Sequence, residues 1–281
     1  MTTPPTALTI AGSDSGGSAG LQADLRTFFA CGVHGMTAIT AVTVQNSLGV
    51  QGFIEIPVET ITAQIRAVVT DIGAGAAKTG MLASAEIIAA VADACDSVQI
   101  GQSGRTPLVV DPVAASMHGD PLLREDALDA LRRKLFPRAS LITPNLDEVR
   151  LLTGIDTDGR HKQYEAATAL HEMGPSWVLV KGGHLFGEPD CVDLLYDGRR
   201  FTELTGRRYD TPHTHGGGDT MAAAITSALA RGKDMPEAVA FGKRFIDRAV
   251  AGSYPLGAGI GPVSPFWRLA GPGQAAPEYP D

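Results

Sequence analysis

The chain has 281 residues and a formal net charge of −8, with 44% hydrophobic and 19% charged residues. This composition supports an ordinary globular core, and the acidic balance argues against a nucleic-acid binder, which would need a basic face. No apolar run approaches the ~20 residues of a membrane helix, and the N-terminus lacks the basic and apolar regions of a secretory signal. Three scattered cysteines without a CxxC pair favour reduced thiols over a disulfide or zinc site, so we expect a soluble cytoplasmic protein.

Short apolar runs along the chain have the composition of buried strands. They are rich in Val, Ile, Leu and Thr, and most end in a glycine or a polar residue. In chain order these runs are "ALTIAG", "MTAITAVTVQ", "AAKTGML", "PLVVDPV", "SLITPN" and "WVLVKGG". A short "GFIEI" after the second run predicts an edge strand, and "DCVDLLYDGRRFTEL" predicts a hairpin around Asp197 and Gly198.

Segments with apolar residues at helical spacing separate these runs. In chain order they are "SAGLQADLRTFFACG", "VETITAQIRAVVTDI", "SAEIIAAVADAC", "REDALDALRRKLF" and "KQYEAATALHEM". Strands that alternate with helices of this length predict an α/β fold, with a mainly parallel central sheet and helices on both faces. No internal repeat or linker divides the chain, so we expect one domain over residues 1–270. The Pro- and Gly-rich end predicts a disordered tail over 271–281.

Polar residues follow the predicted strands at the point where each strand ends. In open α/β sheets, ligands bind at the carboxyl ends of the strands, along one edge of the molecule. We therefore expect the chemistry of this chain to gather at that edge. The residues concerned are Asp14, Gln45, Lys78, Asp111, Asn145 and Lys181.

The stretch "HTHGGGDTMAAAITSALARG", residues 213–232, places three glycines and an aspartate directly before a run of helix formers. Successive glycines can turn several backbone N–H groups toward one anion, and the N-terminus of the following helix adds its own amides and positive dipole end. The same residues also fit a glycine-rich helix cap with Asp219 or Thr220 in the first turn. The chain contains no GxxxxGK[ST], which excludes a P-loop. Because "GSDSGGSAG" lacks the GxGxxG order, we also discount a dehydrogenase.

This glycine stretch resembles the late motif of the ribokinase-like kinases, which reads roughly GAGD at the start of a helix. The resemblance implies that the amides of Gly216, Gly217 and Gly218 form an anion hole for the transferring phosphate. It also implies that Asp219 is the catalytic base.

Six further stretches resemble the hydroxymethylpyrimidine/phosphomethylpyrimidine kinases of thiamine biosynthesis. The resemblance runs from about residue 7 to residue 268, through "LTIAGSDSGGSAGLQADLRTF", "AVTVQNSLGV", "KTGML", "DPVAASMHGDPLL", "LITPNLDEVRLL" and "VLVKGGHL". It implies a ribokinase-like fold, Mg²⁺–ATP as the phosphoryl donor, and a homodimer. The implied substrate is a small molecule, 4-amino-5-hydroxymethyl-2-methylpyrimidine, and then its monophosphate, which is converted to the pyrophosphate.

Two polar residues are expected to recognise the pyrimidine. The resemblance places Asp24 at the hydroxymethyl end of the ring, although an acid near a helix start can instead complement the helix dipole. The Gln45 amide offers a donor and an acceptor, which match the ring nitrogen and the exocyclic amine; a turn residue bonded to the backbone is the alternative. By resemblance, two apolar residues contact the ring and two small ones allow close approach, although a methionine alone would suggest core packing. These four are Val44, Met81, Gly12 and Ala19.

Two carboxylates from separate strand ends are candidates to hold Mg²⁺. Asp111 ends "PLVVD" and Glu148 lies in "NLDEVRLL". Such a pair can hold Mg²⁺ through waters, because this ion dehydrates reluctantly. Glu148 also fits the first turn of a helix, and Asn145 and Asp147 are equally well placed as neighbours of the ion.

The resemblance places Lys181, in "VKGGH", near the ATP phosphates, with Thr220 as a second contact to the nucleotide. The alternative for Lys181 is a lysine at a strand end that extends its ammonium into solvent. The histidines lack HExxH or a comparable spacing, so we do not expect them to bind metal. Those concerned are His184, His213 and His215.

Two positions depart from the family pattern. Many members read GTGC where this chain reads GGGD, so they have a cysteine in place of Asp219, and a histidine is expected in place of Ile260. The nearest alternative function is a pyridoxal kinase on the same fold, whose substrate has no exocyclic amine for Gln45. A non-catalytic ATP-binding regulator is the other alternative, and the acidic residues Asp219, Asp111 and Glu148 argue against it.

Overall fold

The computed structural model of the protein describes residues 3–102, 104–114, 123, 125–157, 159–183 and 190–269. Within these residues, nine strands form one sheet. In chain order they are β1 (Thr6–Ser13), β2 (His34–Asn46), β3 (Gly49–Glu55), β4 (Ala76–Thr79), β5 (Leu108–Val110), β6 (Leu141–Ile142), β7 (Val178–Val180), β8 (Asp190–Tyr196) and β9 (Phe201–Arg207).

The strands lie in the order β3-β2-β1-β4-β5-β6-β7-β8-β9 across the sheet. Strands β2, β1, β4, β5, β6 and β7 run parallel. Strand β3 pairs antiparallel at one edge, and β8 and β9 pair antiparallel at the other, where Tyr196 lies opposite Phe201 across the hairpin turn. The predicted mainly parallel sheet, its edge strand and the hairpin are confirmed.

Eight α-helices lie within the described residues. They are α1 (Gly20–Ala30), α2 (Val58–Asp71), α3 (Ala85–Ser97), α4 (Glu125–Ala130), α5 (Leu146–Thr153), α6 (Arg160–His171), α7 (Gly217–Ala230) and α8 (Met235–Ala251). The predicted helix "REDALDALRRKLF" continues beyond α4 as a π-helical turn over Leu131–Leu135 and then as a 3₁₀ turn that contains Pro137, which has no N–H to extend the helical ladder further. None of these described helices is long and apolar enough to cross a bilayer.

Alternate residues of the short parallel strands are buried on opposite faces of the sheet. In β5, Leu108 and Val110 pack in a core with residues of α2, α3 and α5, whereas Val109 packs with residues of α7 and α8. A strand that is apolar on both faces requires helices on both faces. The predicted placement of helices on the two faces of the sheet is therefore confirmed.

Some features expected from the sequence fall outside the described residues. They are residues 115–122 of "DPVAASMHGDPLL", His184 and the tail over 271–281. The assignment of one domain to residues 1–270 stays a prediction.

Helix α7 is buried along most of its length, from Thr220 to Leu229. Gly242 of α8 lies directly over it, and a Cβ added at Gly242 would overlap Ile225 Cγ1 and lie 3.3 Å from Met221 O. The absence of a side chain at Gly242 thus sets how closely α8 approaches α7. This close packing fixes α7, and with it the position of its N-terminus at the sheet edge.

We expect Gly242→Ala to lower the free energy of unfolding by about 1–2 kcal/mol. The added Cβ would overlap Ile225 Cγ1, which places the cost of overpacking in the upper part of its usual range, at about 2–3 kcal/mol. The better helix propensity of alanine, about 1 kcal/mol, offsets part of this. Chemical denaturation of both proteins measures the difference. Gly52→Ala is the matched control, because a Cβ there meets nothing within 4 Å. Equal stability of the wild type and Gly242→Ala would contradict the packing described.

Candidate active site

Helix α7 begins at a turn that requires glycine. Gly216, the residue before α7, has a φ of 73°, and a Cβ there would overlap the carbonyl oxygen of Ser18. A side chain would therefore be strained both by the backbone conformation and by this contact. The glycine lets the loop before α1 pack directly against the start of α7.

Some amides at the start of α7 have a hydrogen-bond acceptor within the turn, and others have no acceptor within the helix. Gly217 N–H donates to Thr214 O at 3.1 Å, and Thr220 N–H donates to Gly216 O at 2.9 Å as the first bond of the helix. The amides of Gly218 and Asp219 lie between them, where helix geometry provides no acceptor. The anion hole expected from Gly216 to Gly218 stays a prediction; of these residues, Gly217 already has an acceptor for its amide in the turn.

Gly218 faces an ion pair formed at two strand ends. Lys181 Nζ lies 3.0 Å from Asp111 Oδ1, which also accepts a hydrogen bond of 3.0 Å from Thr143 Oγ1. A Cβ on Gly218 would lie 3.3 Å from both Asp111 Oδ2 and Lys181 Nζ. Glycine at this position therefore keeps a space open between the N-terminus of α7 and the ion pair, bordered by amides and an ammonium.

Burial alone would lower the pKa of Lys181, but Asp111 and Glu148 outweigh it and raise this pKa, with a further contribution from Asp219. The Lys181 side chain therefore keeps its positive charge at neutral pH. Its proximity to three carboxylates shows that the acidic residues expected at separate strand ends are brought together here.

Glu148 has the structural role that its position in a helix start suggested. It forms a capping box with Asn145: Glu148 N–H donates to Asn145 Oδ1 at 2.9 Å, and Asn145 N–H donates to Glu148 Oε2 at 2.8 Å. Burial raises the pKa of Glu148 to about 7, although Lys181 opposes the rise. A buried carboxylate with this incomplete compensation would be stabilised by a cation. Its role as a Mg²⁺ ligand stays a prediction.

Asp24 lies in a buried ion pair with Lys78, and its contact with the hydroxymethyl group stays a prediction. It is fully buried, and its two oxygens accept hydrogen bonds from Lys78 Nζ at 2.7 and 2.9 Å and from Thr9 Oγ1 at 2.6 Å. Helix α1 begins at Gly20, and its first turn contains no acidic residue. Direct contact between Asp24 and a substrate would require the pair with Lys78 to open, so the burial favours an action through Lys78.

Lys78 is the site residue that sequence reasoning left without a role. It is the last residue but one of β4 and is fully buried, with Nζ 3.5 Å from Asp219 Oδ1. The Asp219 side chain is 15% exposed, so its carboxylate reaches the surface in front of Lys78. The position of a lysine at a strand end was the available signal, but the sequence does not reveal which carboxylates surround it.

Gln45 is joined to the turn before α7 by a histidine. Gln45 Nε2 lies 3.2 Å from His215 Nε2, and His215 Nε2 lies 3.6 Å from Asp14 Oδ2. Asp14 in turn accepts 2.8 Å hydrogen bonds from the amides of Ser18 and Ala19. A single network therefore connects the end of β2, the loop before α1 and the residue that precedes Gly216.

The remaining expected residues lie on these same elements. Gly12 is buried, and a Cβ there would lie 3.5 Å from the sulfur of the half-buried Met81. Val44 is 63% exposed, and the register of β2 with β3 shifts between it and Gln45, which interrupts the usual alternation of side chains. Thr220 is 2% exposed near the start of α7, and its contact with a nucleotide stays a prediction.

The chain matches known proteins over most of its length. A family described as phosphomethylpyrimidine kinase matches residues 14–264. A relative from Mycobacterium leprae named hydroxymethylpyrimidine/phosphomethylpyrimidine kinase is 57% identical, over 95% of this chain and 96% of its own. One of the same name from Haemophilus influenzae is 47% identical, over 92% of this chain and 95% of its own.

Solved structures share the fold over nearly the whole chain. An ADP complex of Bacillus subtilis pyridoxal kinase superposes with a TM-score of 0.85 and 38% identity, covering 95% of this chain and 99% of its own. Phosphomethylpyrimidine kinase from Clostridium difficile gives a TM-score of 0.76 and 39% identity, covering 87% of this chain and 99% of its own. The chain therefore belongs to the phosphomethylpyrimidine kinase family and is a phosphotransferase of ribokinase-like fold.

Proposed function

We propose that the enzyme transfers the γ-phosphoryl group of ATP to 4-amino-5-hydroxymethyl-2-methylpyrimidine, and then a second one to the resulting monophosphate. The observation that carries this proposal is the position of Asp219. Its partly exposed carboxylate stands in the first turn of α7, next to the Gly218 amide and near the Lys181 ammonium. The names of its relatives support this substrate. We also propose that the enzyme works in the cytoplasm, because three free cysteines suit a reducing compartment.

Phosphoryl transfer depends mainly on positioning and on stabilising charge. The Gly218 and Asp219 amides and the Lys181 ammonium would stabilise negative charge on the phosphate oxygens. As the hydroxymethyl oxygen bonds to phosphorus and the bond to the ADP oxygen breaks, Asp219 would accept the hydroxyl proton. A carboxylate is a weak base, which is sufficient if the proton moves late, after the hydroxyl has begun to acidify.

We propose that Asp111 and Glu148 hold Mg²⁺, in part through waters. Two buried carboxylates, one with a raised pKa, form an oxygen-rich environment that suits this ion. Lys181 already offsets part of their charge, which fits a site that supplies few direct ligands. When bound, the ion would neutralise charge on the phosphate oxygens of ATP.

Gln45 is the group that would distinguish an aminopyrimidine from pyridoxal. One N–H of the amide is directed to His215, and Oε1 lies 3.4 Å from Thr43 Oγ1, whose shorter hydrogen bond of 2.7 Å goes to Ser13 O. The oxygen, which has two lone pairs, and the second N–H can therefore serve a ligand. An exocyclic amine can donate to that oxygen and a ring nitrogen can accept from the N–H. Pyridoxal lacks the amine, so the oxygen would lose a partner. The 0.85 TM-score to a pyridoxal kinase makes pyridoxal the competing substrate to test.

We expect kcat/KM for the hydroxymethylpyrimidine to exceed that for pyridoxal by about 10- to 100-fold, because an unpaired polar group in the pocket costs about 1–3 kcal/mol. A coupled ADP-release assay with the pyrimidine alcohol, its monophosphate and pyridoxal in parallel measures this. A preference for pyridoxal would overturn the substrate assignment. Absence of ADP release with all three would support a non-catalytic regulator.

We expect Asp219→Asn to reduce kcat for the pyrimidine alcohol by about 10²- to 10⁴-fold, the usual contribution of a general base. The kcat for the monophosphate should fall far less. Its phosphate group has a second pKa of about 6, so the attacking oxygen is already ionised and needs no base. Initial rates with the two substrates test the difference.

Asp197→Asn is the matched control for this change. Asp197 is an acid in the β8–β9 turn, where its Oδ1 accepts from the amides of Arg199 and Arg200, and asparagine keeps that acceptor. Equal losses on both substrates in Asp219→Asn would argue for an anion-positioning residue in place of a base.

We propose a homodimer formed through the edge of the sheet. Exposed apolar side chains cluster on β2 and β3, where Val42 pairs with Ile54 across the strands. A long, apolar edge strand is a surface that proteins cover with another chain. We expect Ile54→Lys to shift the species in sedimentation velocity from dimer to monomer. Ile72→Lys at the end of α2, where Ile72 is also exposed, should leave the dimer intact; a wild-type monomer would refute the proposal.

A further inference from the structure

Three charged residues lie in series at the carboxyl end of β4. Lys78 Nζ lies 2.7 Å from Asp24 Oδ1 and 3.5 Å from Asp219 Oδ1. Lys78 and Asp24 are both fully buried, whereas Asp219 is partly exposed. A lysine is almost never fully buried unless it is paired. The only one of the three that reaches the surface is the proposed base.

The hydrogen bonds show which end of this series is fixed. An ammonium has three donors, and two of the Lys78 contacts are to the two oxygens of Asp24. Asp24 Oδ2 accepts a further hydrogen bond from Thr9 Oγ1 at 2.6 Å. Asp24 is thus held firmly within β1, β4 and α1, and it locates the ammonium. One donor of Lys78 remains, and Asp219 Oδ1 is 3.5 Å from Nζ.

The ammonium remains charged in this position. Burial would lower the pKa of Lys78, but Asp24, Asp219 and Asp111 raise it above its usual value. Two of these carboxylates, those of Asp219 and Asp111, belong to the proposed active site. The positive charge of Lys78 therefore interacts favourably with Asp219 and Asp111 as well as with Asp24.

The wall of the site next to this pair contains a glycine. A Cβ on Gly80 would lie 3.6 Å from Lys78 Nζ, 3.8 Å from Asp219 Oδ1 and 3.0 Å from Ala11 Cβ. The backbone after β4 therefore passes close beside the Lys78 and Asp219 contact.

We infer that Lys78 is a positioning residue for phosphoryl transfer, anchored by Asp24, which orients the Asp219 carboxylate and offsets its charge as the phosphates approach. The inference rests on the proposed role of Asp219 as the base. It follows from a physical requirement: an anionic base and anionic phosphates must share a small space, and a fixed cation behind the base reduces their repulsion. With Oδ1 near Lys78, Oδ2 is the oxygen left for the substrate hydroxyl.

The test is a double-mutant cycle with a charge-neutral replacement. Lys78→Met alone would leave a buried, unpaired carboxylate, so it is combined with Asp24→Asn. The cycle compares four proteins: the wild type, Asp219→Asn, the pair variant (Lys78→Met with Asp24→Asn) and the triple variant, which combines all three substitutions. We expect the pair variant to lower kcat for the alcohol at least tenfold with KM for ATP changed less than about threefold. Asp219→Asn should then lower kcat by less than threefold in the pair background, because the base is no longer oriented.

The matched control is a second buried ion pair, Lys243 with Asp193, at 3.0 Å. In the Lys243→Met, Asp193→Asn background, Asp219→Asn should retain its full fold-loss in kcat, whatever the basal rate. A merely structural role for Lys78 predicts the same full loss in the Lys78→Met, Asp24→Asn background. That result, or a wild-type kcat in the pair variant, would overturn the inference.

Thermal melts establish that each variant folds. If the variant Lys78→Met with Asp24→Asn does not fold, Lys78→Gln with Asp24→Asn replaces it. Failure of both variants to fold would show a purely structural requirement for the ion pair and overturn the inference. The cycle uses whichever substrate the wild type phosphorylates, so a wrong substrate assignment does not affect it. A wrong assignment of Asp219 is visible separately, as an unchanged kcat in the single Asp219→Asn variant.

Discussion

The contact between Gly216 and the Ser18 carbonyl is the constraint on which the candidate site depends. It allows the chain to turn into α7 against the loop that follows β1, and it exists because residue 216 has no side chain. The burial of α7 under α8 then holds the helix axis. Together they direct two amides and one carboxylate to the edge where the parallel strands end. Strand ends that are far apart in sequence thereby face a single helix terminus.

Within the candidate site, several carboxylates share the ammonium groups of Lys78 and Lys181. Asp24, Asp111, Glu148 and Asp219 all act on Lys78 or Lys181. Because these residues are mostly buried, water screens them little, and each ammonium is shared between acids. The arrangement leaves Glu148 only partly compensated, as its raised pKa shows. This incomplete compensation is the feature on which the proposed cation site at Glu148 rests.

Much of the fold could be predicted because its signals are local. Alternating apolar runs and helical patterns identified the parallel sheet, and the GGGD stretch located the start of α7. The end of α4 at Ala130 was not predicted, since the π-helical turn that follows it has the same apolar pattern as a continuing helix. Helix α8 was also missed, although Asp234 caps it with a hydrogen bond to Glu237 N–H.

The candidate site was predicted in its members but not in its pairings. Asp24 and Lys78 are 54 residues apart, and Gln45 and His215 are 170 apart, so no local pattern joins them. Burial decides that Asp24 faces a lysine and not the surface. The Gln45 and His215 hydrogen bond also has a mechanical consequence. It ties the end of β2 to the residue that precedes the turn into α7, so a displacement of either element is transmitted to the other.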